Sequence, residues 1–260
     1  MNKYDIVILG NSHGDGSFCP RDIEIATGLR VFQLSHKGMS TEVSKVLWID
    51  YLRLNSPPKV LFVEATGLFD KNETLGDLKS YSYWSNGMAD LLKHENFSAY
   101  IATKISNLFY WNGEIFFRSL YFIGKSDQNK VKLNNRVLDK EYADKIINKK
   151  SQRQDRGNYT TIECNLSALY DIIIAGKNHN CQIYIIFTPW YPQYASLVKD
   201  EIEQCINNIS NIIGNNAQVI NYLQSIKEIS AFEDLTHLNY NGTKLFLNQL
   251  INDGVLQKNM

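Results

Sequence analysis

Ser12 stands in Asp5-Ile-Val-Ile-Leu-Gly-Asn-Ser-His13, an apolar run that ends in a small, sharp turn. Far along the chain, Phe232-Glu-Asp-Leu-Thr-His-Leu-Asn-Tyr-Asn-Gly242 carries a carboxylate and an imidazole three residues apart, Asp234 and His237. A serine hydroxyl is unreactive at neutral pH unless a base takes its proton. These residue types supply the parts of an acyl-transfer site. Ser12 is the candidate nucleophile and His237 the general base and then acid. Asp234 holds the imidazole in its useful tautomer and stabilises its cation. On a helical turn, the spacing of Asp234 and His237 puts both side chains on one face. The structural alternatives are plain: Ser12 as a helix N-cap, Asp234 as the cap of a following helix, His237 as a satisfied surface histidine. Finding both segments in one chain weighs against them.

The elements that must position these groups follow from the hydrophobic pattern. Tyr4–Leu9 reads as a central parallel strand, broken by Gly10 and Asn11. Pro20 suits the first turn of a short helix. Arg30–Leu34 is a second strand, 41–54 a helix stopped by Pro57-Pro58, and Lys59–Glu64 a third strand. After a long irregular stretch, Thr160–Lys177 reads as a helix and Gln182–Phe187 as a strand, closed by Thr188-Pro189-Trp190. Ala195–Ile213 is a helix, Gln218–Tyr222 a weaker strand and Gly242–Ile251 a terminal helix. Alternating strands and helices predict a three-layer, flavodoxin-like α/β fold with about five parallel strands. Residues 1–260 form one domain, with a helical and loop insertion at about 70–158 after the third strand. Within it 88–110 looks helical, 111–122 is dense in aromatics, and 125–156 is polar and rich in Lys and Asn. Ligands of such sheets bind at the carboxyl ends of the strands, where Ser12, Gly38 and Thr66 all fall.

Composition sets outer bounds. The chain has 260 residues, 44% of them hydrophobic, enough for one sizeable core. Its formal net charge of zero argues against a general nucleic-acid or anionic-membrane footprint. No apolar run reaches the length of a membrane span, so no stable membrane insertion is expected. No signal-peptide pattern precedes the first strand, which points to a cytoplasmic protein. An exported chain trimmed of its leader or anchor is the other reading. Cys19, Cys164, Cys181 and Cys205 form no metal spacing, and the last three read as buried free thiols. His36, His94 and His179 are scattered, so neither a metal nor a cofactor is expected.

At this point the motifs reach a family. The chain resembles the SGNH (GDSL-like) hydrolase superfamily, and looks closest to the branch of bacterial polysaccharide and cell-wall O-acyl-modifying proteins. Gly10-Asn-Ser-His13 resembles the first family block, with its nucleophilic serine. Leu34-Ser-His-Lys-Gly38 resembles the second, whose glycine N–H contributes to the oxyanion hole. Thr188-Pro189 sits where this branch has a similar pair, and Asp234-Leu-Thr-His-Leu-Asn239 with Gly242 resembles the last block. The resemblance covers about 1–70 and 160–255. It implies a serine esterase or O-acyltransferase acting on acyl esters, acetyl above all, of a carbohydrate through an acyl-serine. The rival reading is an inactive glycan-binding or accessory protein on the same fold. One departure stands out. The asparagine expected after the third strand is replaced within Glu64-Ala-Thr-Gly67, so Ser12, Gly38 and Thr66 are the candidate oxyanion donors.

Other residues admit two readings each. His13 and Trp190 are candidate substrate contacts, and His13 equally a residue that shapes the turn. Gly38 could serve backbone geometry alone. Glu64 could polarise a water or bind nearby backbone. The aromatics from Phe109 to Phe122 could stack on sugar rings or form the core of a lid. The Lys-rich tract 125–150 is a solvated loop or a contact for an acidic glycan.

Overall fold

The computed structural model describes residues 3–72, 75–111, 134–152 and 159–257. Five parallel strands form one sheet: β1 (Ile6–Gly10), β2 (Val31–Ser35), β3 (Val60–Glu64), β4 (Gln182–Phe187) and β5 (Gln218–Asn221). Their order is β2-β1-β3-β4-β5, the flavodoxin-like arrangement expected. Ile6 lies opposite Val31 on one side and Val60 on the other, and Val60 lies opposite Gln182. The strand order therefore reverses between β1 and β3, and the turn that carries Ser12 leaves β1 at that reversal.

The three inner strands are buried on both faces, and their side chains alternate between two cores. Ile6, Ile8, Val60, Phe62, Tyr184 and Ile186 point to one core, with Phe246 and Leu250. Val7, Leu9, Leu61, Val63, Ile183 and Ile185 point to the other, with Trp48, Ile172 and Ile209. A period of two with apolar residues on both faces is what a strand sandwiched between helices requires.

Helices cover both faces: α1 (Ser12–Ser17), α2 (Pro20–Thr27) and α3 (Thr41–Leu54) in the first half. Pro20 opens α2, and Ser40 caps α3 by accepting from the Val43 N–H. The insertion begins with a 3₁₀ turn, Ala65–Leu68, and continues in α4 (Leu75–Leu78), α5 (Asn86–Glu95), α6 (Phe97–Ile105) and α7 (Asn107–Trp111). Met88 and Leu92 of α5 join Met39 and Val43 in a separate apolar cluster, so this part of the insertion docks beside α3. The helix read over 88–110 is thus three short ones. Ser85 caps α5 and Asn96 caps α6, each by a side chain that takes a backbone N–H.

The chain returns through α8 (Lys140–Ser151), α9 (Glu163–Asn178), α10 (Pro192–Leu197), α11 (Lys199–Ile213) and α12 (Tyr240–Asn252). The helix read over 195–213 is broken at Val198. The aromatics from residue 112 to Phe122 and the Lys-rich residues up to 133 lie outside the described residues. Cys164 is exposed, against expectation, while Cys19, Cys181 and Cys205 are buried. Cys164 falls on the first turn of α9, away from its inward stripe of Asn165, Ala168, Leu169 and Ile172. Among the described residues no helix is long and apolar enough to cross a membrane.

Candidate active site

The turn that presents Ser12 is built by close packing. A Cβ on Gly10 would lie 2.7 Å from the Cβ of Glu64, and one on Gly14 would lie 2.7 Å from Ser35 Oγ. Only glycine lets β1 end this close to β3 and β2. Asn11 then caps α1, its Oδ1 accepting from the His13 N–H at 2.9 Å. This leaves Ser12 half-buried at the first position of the short helix.

The second half of the site is a tight loop. Phe232 and Leu238 pair in an antiparallel bridge, and the Glu233 N–H donates to the His237 carbonyl at 3.0 Å. The spacing of Asp234 and His237 is not helical here. Asp234 Oδ1 accepts from the Thr236 N–H at 2.8 Å and from the His237 N–H at 2.9 Å, a side-chain-closed turn. The same carboxylate reaches the ring, with His237 Nδ1 3.0 Å from both oxygens. The Thr236 hydroxyl lies 3.2 Å from Nδ1. A carboxylate at Nδ1 places the ring proton there and leaves Nε2 as the acceptor. Ser12 Oγ lies 2.9 Å from that Nε2. Residues 225 apart in sequence are thereby joined in one line from carboxylate to imidazole to hydroxyl.

Electrostatics agree with this polarity. Burial pushes the Asp234 carboxyl up. The hydrogen bond and charge of His237, with the Thr236 and His237 amides, outweigh it and hold Asp234 well below the usual carboxylate range. Burial raises Glu233, which also feels Lys37 and Arg136. Glu233, Asp234 and His237 present ligand-type atoms within 4.8 Å of one another. The sequence reading, with no metal expected, did not single out that grouping.

Asn239 secures the loop from behind. Its Nδ2 donates to the carbonyls of Ser230 at 2.8 Å and Arg136 at 3.0 Å, and its Oδ1 caps α12 at the Gly242 N–H. Asn239, not Asp234, is the cap of the terminal helix. A Cβ on Gly242 would lie 2.1 Å from the Ala231 carbonyl oxygen, so this position admits only glycine. An Asn-x-x-Gly spacing ahead of an apolar helix was the available signal.

The remaining candidates fall in different places. Gly38 has φ +65° in a turn closed by Met39 N–H to His36 O, and the His36 N–H donates to Gly10 O. The glycine turn is therefore anchored to the end of β1, beside Ser12. Thr66 does not offer its donors to the site. Its N–H and its hydroxyl both reach Glu64 Oε2, at 3.1 and 2.7 Å. The expectation of Thr66 as an oxyanion donor is corrected accordingly. The buried Glu64 side chain at the end of β3 is the acceptor that both groups meet, and Thr66 serves it.

Glu64 is 2% exposed, and the Thr188 hydroxyl reaches its other oxygen at 3.4 Å. Asn11 Nδ2 donates to Thr66 Oγ1 at 2.9 Å and to Asp70 Oδ2 at 2.6 Å. A buried polar network thus runs from Glu64 through Thr66 to the residue that caps Ser12's helix. Sequence reasoning missed it, because only burial makes Asn11 matter and only the fold brings the partly buried Asp70 to it.

Trp190 is also corrected as a substrate contact. It is 1% exposed and packs in the core against His13, Tyr159 and Tyr194. His13 is 9% exposed and lies against His237 itself. A separate groove of about 580 Å³ lies beside β5, lined by Lys199, Glu203, Gln218, Tyr222 and Asp253, on the sheet edge away from β1.

No family model matches the chain, and no curated protein matches it. Among solved structures it is similar to a candidate acylhydrolase from Bacteroides fragilis, with 9% identity over 99% of this chain and 92% of that one, at a TM-score of 0.48. It is similar to a GDSL-like lipase from Bacteroides thetaiotaomicron, with 9% identity over 96% and 86% of the two chains, at 0.45. A family two carbohydrate esterase from Clostridium thermocellum in complex with cellohexaose is similar at 8% identity, over 97% of this chain and 64% of that one, at 0.43.

Proposed function

We propose that this chain is a serine hydrolase of the SGNH type, acting on acyl esters through an acyl-Ser12 intermediate. The observation that carries the reading is the hydrogen-bonded line from Asp234 to His237 Nδ1 and from His237 Nε2 to Ser12 Oγ, at 3.0 and 2.9 Å. Its three members are presented by a strand-to-helix turn and a loop that the fold brings together at the strand reversal.

The reaction proceeds in two halves. Ser12 Oγ attacks the ester carbonyl while His237 Nε2 takes its proton, giving a tetrahedral oxyanion and an imidazolium beside Asp234. The N–H groups of Ser12 and Gly38 stabilise the oxyanion. The imidazolium protonates the departing alcohol, leaving acyl-Ser12. A water or a sugar hydroxyl then gives its proton to His237 and attacks the acyl carbon. Ser12 leaves and recovers that proton, and the product is a free acid or a new ester. Water makes the protein an esterase, a sugar hydroxyl makes it an O-acyltransferase. A short acyl group on a carbohydrate rests on the sequence blocks alone.

The second reading, a non-catalytic glycan-binding protein, draws on one observation: both Thr66 donors are tied to Glu64. Losing one oxyanion donor costs about 2.7–4 kcal/mol of transition-state stabilisation, unless another group replaces it.

A fluorophosphonate that forms a covalent bond with activated serines separates the two. Wild type is labelled and Ser12→Ala is not. A folded wild type that stays unlabelled overturns catalysis. Aryl acetate with and without a sugar acceptor then divides the enzyme readings. Acetate released at full rate without acceptor excludes a dedicated transferase.

A further inference from the structure

His13 touches the catalytic base without taking part in the proton transfer. Its ring plane is 9° from that of His237, with centroids 4.3 Å apart. It also packs against Trp190 at 5.5 Å, and Trp190 packs against Tyr159 and Tyr194 at 5.3 and 6.0 Å. A chain of ring contacts therefore runs from the His237 face into the molecule's core. Burial, and then the charge of His237, lower the His13 pKa to about 3, against the raising effects of Asp234 and the Thr236 backbone. The ring lying on His237 is therefore neutral at ordinary pH, not a second cation.

The geometry explains what such a ring does. Hydrogen bonds at Nδ1 and Nε2 define an axis through the His237 imidazole. The ring turns about its own Cβ–Cγ bond, and such a turn swings both nitrogens off that axis and spoils both bonds' alignment. A flat partner against the ring face opposes it. The partner is also the residue next to Ser12, and its backbone N–H is held by Asn11 Oδ1. Nucleophile and backstop therefore move as one piece.

We infer that His13 is a positioning residue whose stacked ring sets the plane of His237 relative to Ser12. This rests on the reading of His237 as the base for Ser12. Its test uses two readouts on the full chain, one of which needs no turnover. The first is kcat and KM for p-nitrophenyl acetate. A misplacement of about 1 Å costs on the order of 100-fold, so His13→Ala is expected to lose about 10- to 100-fold in kcat with KM nearly unchanged. His13→Phe keeps a flat neutral ring and is expected to recover most of that rate. The second readout is the chemical shift of the carbon-bound His237 ring protons. The ring-current displacement from the stack is expected in wild type and His13→Phe and lost in His13→Ala. Should His13→Ala fail to fold, His13→Leu replaces it, filling the space without a flat π face. A kcat unchanged in His13→Ala overturns the inference, as does a His13→Phe as slow as His13→Ala, or His237 shifts that ignore all three substitutions. If wild type neither turns over ester nor reacts at Ser12, the proposed function fails. The ring-proton shifts still decide whether His13 sets the imidazole.

Discussion

Asp234 shows how much one residue carries. Its Oδ1 closes the turn through two backbone N–H groups, and the same carboxylate holds the imidazole. Asp234→Asn keeps an acceptor for the backbone but can turn an NH₂ toward Nδ1. The ring then moves its proton to Nε2, where the Ser12 proton must be received. By analogy with other serine triads, kcat is expected to fall on the order of 10⁴-fold with KM little changed. A loss below tenfold, read by steady-state ester hydrolysis, removes Asp234 from the proposed mechanism.

The same change tests linkage. The folded carboxyl titrates below its ordinary value of 3.8, so its contribution to stability is present above that value and lost as pH falls through the folded pKa. The melting-temperature gap between wild type and Asp234→Asn is expected to be flat at neutral pH and to narrow below about pH 4. With the side chain 46% exposed, the gap is small. Asp234, His237 and Ser12 were legible as residues, but not the shape that joins them. Asp and Thr side chains compete for backbone N–H groups, so Asp-Leu-Thr-His closes its own turn instead of a helical one.

At the scale of elements, the end of β3 holds the least obvious device. Burial raises Glu64 to about 8, against the Thr66 and Thr188 donors that favour the anion and with Asp70 adding to the rise. The folded protein therefore keeps a proton that the unfolded chain gives up near 4.5. Stability from this group is full below that pH and is lost as pH climbs to about 8. Glu64→Gln removes the titration while keeping the shape. Its melting temperature relative to wild type is expected to rise steadily between pH 5 and pH 8, and a gap independent of pH sinks the assignment.

The regular elements around this site were readable because their signals are local. The helix over 41–54 has apolar spacing, a Ser cap and a Pro-Pro stop, and the structure reproduces its bounds. The insertion was not readable in the same detail. Its helices are about three turns or less, too short for periodicity to separate from their polar caps, so Asn96 passed as an interior residue instead of a break. Thr66 and Trp190 were misjudged for another reason: their types suit a site, but burial gives their groups to Glu64 and to the core.

For the whole molecule, the question is how β5, at the sheet edge, delivers His237 to Ser12 beside β1. Three strand spacings separate β5 from β1, roughly 14 Å. The chain after β5 crosses this span along the carboxyl ends of the strands, pinned as it passes β4. The Trp190 N–H donates to Leu223 O and the Tyr191 N–H to Leu235 O, each at 2.9 Å. Beyond His237 the return is locked by α12, where Thr243 Oγ1 donates to the Gly16 carbonyl at 3.0 Å and reaches its own helix at Asn239 O. That bond joins the helix after the histidine to the helix that carries the serine, across 227 residues.

Thr243→Val keeps the volume and removes the link. Gly16 is only partly buried, so water compensates in part and the loss is about 1 kcal/mol, or roughly 2–4 °C in melting temperature. The rate should fall further than stability predicts, because the unlinked helices no longer fix the 2.9 Å between Ser12 and His237. Thr243→Ser keeps the hydroxyl and is expected to match wild type in rate. Wild-type kcat and melting temperature in Thr243→Val show that packing of the two helices alone brings the ends of the chain together.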